Sequence, residues 1–368
     1  MKVLITGANG FIAKNLIVIL MRMPHIEILK YTHKNTLDEL EQLIQQSDFI
    51  FHLAGVNRPK NSQEFYDGNS NLTKNIVAFI EKHQRAIPIL LSSSIQVGGD
   101  NDYAKSKAEA EEIIKKYSHL NNVSCAIYRL QNVFGKWSKP NYNSVIATWC
   151  YNITREKEIQ VNNKETLLNL VYIGDVIHAF VEHLYLKQSD DIYYEVQKVY
   201  KKTLGEIEEL LYMFRDSRTT LLVPHIAVGF ERVLYATYLS YLPHDKFSYK
   251  LGGHEDARGT FYEILKTLDS GQLGISTTKP GITRGNHYHN TKNEKFLVIK
   301  GSALIELRDI FTKEVIQYNV SGNELEIVEM IPGYTHNIVN TGDEEMVLLI
   351  WANENYNPDA PDTNFLEV

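Results

Sequence analysis

The sequence predicts a doubly wound parallel α/β sheet followed by an all-β barrel or sandwich. Up to about residue 245, short apolar strands alternate with amphipathic helices, the order that gives parallel strands with crossover helices on both faces. After about residue 250 helical periodicity fades, and Gly, Asn, Thr and Pro punctuate short β-rich runs. A length of 368 residues also exceeds one ordinary core. We therefore expect two domains, at residues 1–245 and 246–368.

The predicted elements follow one another in a regular order. Those of the first domain are KVLIT, a helix from about Phe11, IEILKY, a helix from about Leu37, FIFHLAG, a helix around NLTKNIVAFIEKH, PILLSSS, the helix AKSKAEAEEIIKKY, and SCAIYRL. The strands of the second domain are QLGIST, KFLVIKG, ALIELRD, LEIVEMI and EMVLLIWA. The boundary is expected within residues 242–256.

Composition and charge exclude several classes of protein. The apolar fraction of 43% and the charged fraction of 23% are those of a folded chain. The net charge is −7 and no predicted helix carries a basic stripe, so neither nucleic acid nor a membrane surface is an expected partner. No apolar run approaches the ~18 residues of a membrane span, and the start shows no signal-peptide pattern. Cys125 and Cys150 lack disulfide or metal-site spacing, and we expect a cytoplasmic protein.

A glycine-rich turn joins the first strand to the first helix in VLITGANGFIAKNL. Glycine permits a tight turn and lets backbone amides approach a pyrophosphate at the positive end of the helix dipole. A glycine triplet alone is a weak signal, but the strand before it and the helix after it favour dinucleotide binding. The residues predicted to contact the cofactor here are Gly7, Asn9, Gly10, Phe11 and Ile12.

The ends of the next two strands complete the predicted cofactor site. The second strand carries Thr32, His33 and Lys34 where an acidic residue would bind a ribose 2′-hydroxyl. A hydroxyl and two potential cations suit a 2′-phosphate, so NADPH is predicted rather than NADH. The third strand ends in HLAG, where Leu53, Ala54 and Gly55 are expected to let the backbone approach the cofactor.

A serine-tipped strand and the following helix carry the predicted catalytic residues. LLSSSIQ precedes YAKSK, which gives Ser94, Tyr103 and Lys107. Tyrosine and lysine four residues apart share one helical face, where the ammonium can lower the phenol pKa and bond the nicotinamide ribose. Such a phenol can donate a proton to a carbonyl oxygen while hydride reaches the carbon.

With these motifs in order, residues 1 to about 245 resemble an extended short-chain dehydrogenase/reductase, which has a Rossmann-type fold and acts on nucleotide sugars. The resemblance implies that Ser94, Tyr103 and Lys107 form the catalytic triad. Ser94 and Tyr103 are only nine residues apart, which is short for this branch, so Ser93 stays an alternative. RLQNVFGKW resembles the segment beside the substrate, which implies a substrate contact for Asn132.

The second domain contains a candidate metal site in GITRGNHYHNTKNEKFLVIKG. His287 and His289 alternate along a predicted strand and so point to one side, while Glu294 is expected on the neighbouring strand. His336 follows a Pro-Gly turn and is the fourth candidate ligand. Imidazole and carboxylate donors without thiolate suit Zn²⁺, Fe²⁺, Ni²⁺ or Mn²⁺, and Zn²⁺ is the ion we predict.

The two-part pattern G-x5-H-x-H-x4-E-x6-G and P-G-x-x-H-x3-N resembles the cupin family, which implies a jelly-roll barrel with a bound metal. A second likeness joins DARGTFYEI and TRGNHYH to cupin-type 3,5-epimerases of 4-keto deoxyhexose nucleotides, which implies substrate contacts for Arg258 and Arg284. Those epimerases use the first histidine of the second segment as a base, whereas the metal motif makes His287 a ligand. We predict a ligand, and the base stays open among Tyr334, Lys295 and Lys279.

The whole arrangement resembles bacterial bifunctional enzymes of capsular polysaccharide synthesis, which work as homodimers. The resemblance implies a UDP-linked 2-acetamido-2,6-dideoxy-4-ketohexose substrate, C3 epimerisation by the cupin with a metal as Lewis acid, and NADPH-dependent C4 reduction. The product would be UDP-2-acetamido-2,6-dideoxy-L-talose, on the route to UDP-N-acetyl-L-fucosamine. The alternatives are a dTDP-linked substrate, a cupin that is only a structural or dimerising module, and a redox-cofactor sensor.

Overall fold

A computed structural model describes residues 1–185 and 191–368. Its residues form two compact units. The first comprises Met1–Leu211 and Val228–Pro243, and the second comprises Tyr212–Ala227 and His244–Val368. The second unit thus includes residues 212–227, which the sequence pattern assigns to the first domain.

The first unit is built on a parallel sheet. Its strands are β1 (Lys2–Thr6), β2 (Glu27–Tyr31), β3 (Phe49–His52), β4 (Ile89–Ser94), β5 (Ala126–Leu130), β6 (Asn132–Phe134), β7 (Leu167–Tyr172), β8 (Tyr193–Tyr194) and β9 (Tyr200–Thr203). The main sheet has the order β2-β1-β3-β4-β5-β8, and a smaller one has the order β6-β7-β9. Because β1 lies between β2 and β3, the strand order reverses at β1, the place where such sheets bind ligands.

Helices cover both faces of this sheet. The helices of the chain are α1 (Phe11–Leu20), α2 (Leu37–Gln46), α3 (Gln63–Tyr66), α4 (Leu72–Lys82), α5 (Asp102–Asn121), α6 (Val145–Ile153), α7 (Ile173–His183), α8 (Leu204–Thr220) and α9 (Gly229–Leu239). Residues of α1 and α7 pack on one face, and residues of α2, α4 and α5 pack on the other. A π-helical turn, Asp67–Asn71, precedes α4, and a short 3₁₀ helix spans His244–Lys246.

The second unit consists of mostly antiparallel sheets. Its strands are β10 (Leu222–Val223), β11 (Gly253–Asp256), β12 (Gly259–Thr267), β13 (Gln272–Thr278), β14 (Thr283–Tyr288), β15 (Glu294–Lys300), β16 (Ser302–Asp309), β17 (Val315–Ser321), β18 (Ile327–Met330), β19 (Tyr334–Asn340), β20 (Met346–Ala352) and β21 (Asn364–Phe365). One sheet has the order β10-β12-β13-β20-β15-β18, with β11 on β12, and the other has the order β17-β16-β19-β14-β21. Apolar residues of both sheets share one core.

The predicted fold class is confirmed, since a parallel α/β sheet precedes mostly antiparallel β-structure. Most predicted strands lie within a residue or two of the observed ones, because period-two burial, as in β13, is directly visible in the sequence. Within residues 1–185 and 191–368, no helix combines the length and the apolar character that crossing a bilayer requires.

Candidate active site and metal centre

The turn after β1 depends on glycine. Gly7 has a φ of +66°, and a Cβ placed on it would lie 2.7 Å from the Cα of Ala54. The Gly10 N–H donates to the Gly7 carbonyl at 2.7 Å and closes the turn. Gly10 is the N-cap of α1 and, within the described residues, no side chain caps this end. The first amides of α1 therefore face the crevice where a pyrophosphate would bind.

The residues predicted to contact the 2′-phosphate of NADPH follow β2. The Ala8 N–H donates to the Tyr31 carbonyl at 3.1 Å, which holds the glycine turn beside the end of this strand. The Thr32 amide and hydroxyl both donate to Asn35 Oδ1 at 2.9 Å, while His33 and Lys34 are exposed. Two exposed basic side chains thus lie two and three residues beyond the strand end that borders the glycine turn.

The two serines at the end of β4, Ser93 and Ser94, contact different residues of α5. Ser94 hydrogen-bonds Tyr103, whereas the Ser93 hydroxyl donates to Glu111 Oε1 at 2.5 Å and is buried. Tyr103 and Glu111 are eight residues apart on α5, so the two serines meet the same face of the helix two turns apart. The structure therefore places Ser94, and not the alternative Ser93, beside the predicted catalytic tyrosine.

Lys107 lies between these two contacts. Its Nζ donates to the Ser92 carbonyl at 3.0 Å, and a Cβ placed on Gly55 would lie 3.0 Å from the same Nζ. Burial lowers the pKa of Lys107 to about 8, and the Glu111 charge opposes that shift. The ammonium is thus buried beside the end of β3, where the HLAG backbone was expected to meet the cofactor.

The pKa of Tyr103 differs from the expectation. The spacing on the helix predicts that Lys107 lowers it, but burial raises it, and the hydrogen bond with Ser94 only partly offsets that effect. The phenol is therefore protonated at neutral pH, which is the form a proton donor needs.

A buried hydrogen-bond chain at the end of β3 was not predicted. The Ala54 amide donates to Thr6 Oγ1 at 3.2 Å, so the Thr6 hydroxyl proton is free for His52 Nδ1 at 2.8 Å. His52 Nε2 then donates to Thr73 Oγ1 at 2.9 Å. Burial, with a contribution from Lys107, lowers the pKa of His52 to about 3, so the ring is neutral. The sequence feature that could have indicated this chain is His52, a polar residue at the end of an otherwise apolar strand.

Two further residues hold the catalytic helix. Asn69, within the π-helical turn, accepts from the Val56 amide at 3.0 Å and donates to Ser106 Oγ at 2.9 Å, so it joins the loop after β3 to α5. Arg129 donates to Glu111 through Nε at 3.0 Å and Nη2 at 2.6 Å.

Asn132, the predicted substrate contact, is exposed at the start of β6. Its side-chain amide donates to the Asn169 carbonyl at 3.1 Å, and β6 pairs with β7 in the smaller sheet. Its role toward substrate stays a prediction.

The four predicted metal ligands converge in the second unit. Donor atoms of His287, His289, Glu294 and His336 lie within 4.8 Å of one another. Glu294 Oε2 lies 3.5 Å from His289 Nε2 and 3.8 Å from His336 Nε2. Among the described residues, His289 Nε2 and His336 Nδ1 are buried without a hydrogen-bond partner. Orphaned imidazole nitrogens beside a carboxylate fit a divalent cation.

Strands of two sheets carry three of these ligands, and His289 directly follows β14. β14 carries His287, which pairs with His336 of β19 across an irregular register after Gly285. A Cβ on Gly285 would lie 2.7 Å from the His336 carbonyl, so the bulge requires glycine. Glu294 begins β15, which pairs with β18 and β20 in the other sheet. The expectation that Glu294 lies on the strand next to His287 was therefore wrong.

The protonation states suit metal binding. Burial lowers the pKa of His287, and burial with the neighbouring His287 lowers that of His336 to about 3. Burial raises the pKa of Glu294, but the nearby His289 and Lys292 outweigh it and hold the value at about 2. Neutral imidazoles and an ionised carboxylate are the forms that ligate cations.

The cluster opens into a cavity of about 580 Å³. The titratable side chains that line it besides the ligands are His254, Arg258, Glu263, Arg284, Lys292 and Tyr356. None of the three candidate bases from the sequence, Tyr334, Lys295 and Lys279, is among the lining residues of the described chain. Lys295 instead forms an ion pair with Glu329.

The two predicted substrate arginines line this cavity but are already engaged. Arg258 donates to Asp256 Oδ2 through Nε at 2.9 Å and Nη2 at 2.5 Å. Arg284 lies 3.6 Å from the other oxygen of Asp256 and donates to Thr278 Oγ1 at 3.2 Å. For Arg258 to contact a substrate, its guanidinium would have to release the Asp256 carboxylate.

Comparison with known proteins follows the same division of the chain. Residues 3–194, more than half of the chain, match the NAD dependent epimerase/dehydratase family. The chain belongs to this family. Residues 254–364, which include all four candidate metal ligands, match the polysaccharide biosynthesis C-terminal domain.

Two family members resemble the chain along its whole length. A UDP-2-acetamido-2,6-beta-L-arabino-hexul-4-ose reductase of Pseudomonas aeruginosa is 47% identical over 99% of this chain and 98% of its own. The crystal structure of the capsular polysaccharide assembling protein CapF from Staphylococcus aureus covers 100% of both chains, with 45% identity and a TM-score of 0.93. A UDP-glucuronic acid 4-epimerase from Bacillus cereus, 16% identical with a TM-score of 0.57, covers 66% of this chain and shares the fold alone.

Proposed function

We propose that the chain is a bifunctional enzyme that epimerises C3 and reduces C4 of a UDP-linked 2-acetamido-2,6-dideoxy-4-ketohexose. The observation that carries the proposal is the presence of two preformed sites in one chain, a Ser94–Tyr103–Lys107 constellation and a four-ligand cluster in a cavity. The 47% identical relative, which is a 4-ketose reductase, supports the substrate class. The product is UDP-2-acetamido-2,6-dideoxy-L-talose, for capsule synthesis in the cytoplasm, and a homodimer is expected.

The chain's own residues perform the proton chemistry of the reduction. Tyr103, protonated because burial raises its pKa, donates its proton to the C4 oxygen, and Ser94 orients that phenol. Lys107 is held against the Ser92 carbonyl and binds the nicotinamide ribose. Bound NADPH supplies the hydride, and His33 and Lys34 provide the charge that favours it over NADH.

The second unit acts on the same ketone before reduction. His287, His289, Glu294 and His336 hold a divalent metal, proposed to be Zn²⁺, which when bound supplies a Lewis acid that acidifies the hydrogen at C3. The proton acceptor and donor belong to the cavity-lining side chains, among which Glu263 and His254 are outside the ligand set. Reduction at C4 then removes the acidifying ketone and fixes the new configuration.

The proposal is tested by incubating the purified protein with each ketosugar nucleotide and with NADPH or NADH. Oxidation of NADPH with the UDP-linked 2-acetamido sugar, at a higher kcat/KM than with a dTDP-linked 4-keto-6-deoxyhexose, is expected. Turnover of only the dTDP-linked sugar would contradict the proposed substrate, and equal kcat/KM for both cofactors would contradict the role given to His33 and Lys34.

A further inference from the structure

The segment Asp362–Leu366 is bonded at or next to each of the three histidine ligands although it contributes no ligand. The Asp362 carboxylate accepts from three consecutive backbone amides, those of Asn290 at 2.9 Å, Thr291 at 2.7 Å and Lys292 at 3.0 Å. These residues form the connection between the ligands His289 and Glu294. One carboxylate therefore fixes the backbone that sets the distance between two ligands.

The same residue contacts a ligand ring directly. The Asp362 carbonyl is hydrogen-bonded to His289 Nδ1. A carbonyl can only accept, so Nδ1 carries the proton and Nε2 is left as a lone-pair donor. That Nε2 is the buried atom that faces Glu294 Oε2 at 3.5 Å. A hydrogen bond from the second ring nitrogen is the usual way in which proteins orient a metal-binding histidine.

The rest of the segment reaches the other two histidines. β21 pairs with β14, with Phe365 opposite His287, and the Leu366 amide donates to the Asn286 carbonyl at 3.0 Å. The Leu366 carbonyl accepts from the hydroxyl of Thr335, the residue before His336. The segment is thus bonded beside three of the ligands and directly to the fourth.

We propose that Asp362 is a positioning residue of the metal centre, which fixes the 290–292 backbone and the His289 tautomer so that the four ligands are preorganised. The inference rests on the proposed function, since it assumes that the cluster binds a metal. Loss of such an outer contact typically costs about 10–100-fold in metal affinity.

The test compares Asp362→Ala with Asp359→Ala in the full chain. Asp359 lies three residues before this segment, is exposed, and has its amide bonded locally to Asn357, so it controls for a general effect of removing a carboxylate. Affinity is measured by Zn²⁺ competition with a chelator and by the visible absorption of the Co²⁺-substituted protein. Asp362→Ala keeps the main-chain carbonyl that contacts His289 but loses the carboxylate that fixes its position, so we expect it to bind Zn²⁺ about 10–100-fold more weakly, with an altered Co²⁺ spectrum.

Asp362→Asn, which keeps one oxygen acceptor but loses the charge, should give an intermediate affinity, and thermal unfolding with EDTA present should show all variants folded. Wild-type affinity in Asp362→Ala would overturn the inference. So would unfolding of both Asp362 variants without metal while Asp359→Ala stays folded, because Asp362 would then support the fold. If the unsubstituted protein binds no Zn²⁺ or Co²⁺, the metal part of the proposed function fails instead.

Discussion

The two units assemble their sites in different ways. In the first unit, Tyr103 and Lys107 lie one turn apart on a single helix, and Ser94 belongs to the strand that precedes it. In the second unit three ligands lie on strands of two sheets, His289 follows one of these strands, and its backbone partner is 73 residues away. A site on one helix is specified by local spacing, whereas a site between sheets depends on register and on distant segments. The second site should therefore be more sensitive to remote substitutions.

The largest effect is expected from Tyr103→Phe. Without its hydroxyl, the chain loses the proton donor to the C4 oxygen, and kcat for NADPH-dependent reduction should fall by about 10²–10⁴-fold. Zn²⁺ content should not change, because the metal cluster lies in the other unit. Steady-state NADPH oxidation with metal analysis checks both. A Tyr103→Phe protein with undiminished kcat would contradict the role of Tyr103 as proton donor.

His336→Ala should impair the metal centre and leave the reductase site intact, the converse of Tyr103→Phe. It removes one of four ligands, so Zn²⁺ affinity should fall by about 100-fold or more, while NADPH binding remains. His254→Ala is the matched control, because His254 lines the same cavity, is exposed and lies outside the ligand set. Equal Zn²⁺ affinity in the two variants, measured by chelator competition, would contradict the assigned ligand set.

Gly7→Ala tests the close approach of the glycine turn to β3. Gly7 and Gly98 both have positive φ, but a Cβ on Gly98 meets no atom within 4 Å, whereas one on Gly7 collides with Ala54. Alanine should cost about 1–2 kcal/mol of backbone strain at either position. Only Gly7→Ala should lower the free energy of unfolding, measured with denaturant, by more than that amount, and only Gly7→Ala should weaken NADPH binding. Equal losses would show that the turn has room to adjust.

Glu111→Gln should have the smallest effect, a shift in pH dependence. Burial lowers the pKa of Lys107 to about 8, and the Glu111 charge counteracts this shift. Removing the charge should lower the pKa further, so the alkaline limb of kcat/KM for reduction should move to lower pH, by up to about one unit. Glu112→Gln, on the exposed side of α5, is the control. An unmoved limb would mean that Lys107 does not set it.

Local spacing accounts for what the sequence predicted well. The glycine turn, the Tyr103–Lys107 pair and the His287–His289 pair each span only a few residues, so period and order identify them. Local spacing did not determine three features: the sheet that carries Glu294, the choice of Ser94 over Ser93, and the contact of Asp362 with His289. Each depends on which distant backbones pair, and no local pattern encodes that.

The most direct test of two independent chemistries is hydrogen exchange without reduction. The UDP-linked 4-ketosugar is incubated in D₂O without NADPH, and deuterium at C3 is measured for the unsubstituted protein, Tyr103→Phe and His336→Ala. We predict incorporation with the unsubstituted protein and with Tyr103→Phe, and none above the spontaneous rate with His336→Ala. No incorporation with the unsubstituted protein, or its loss in Tyr103→Phe, would contradict the assignment of epimerisation to the metal centre.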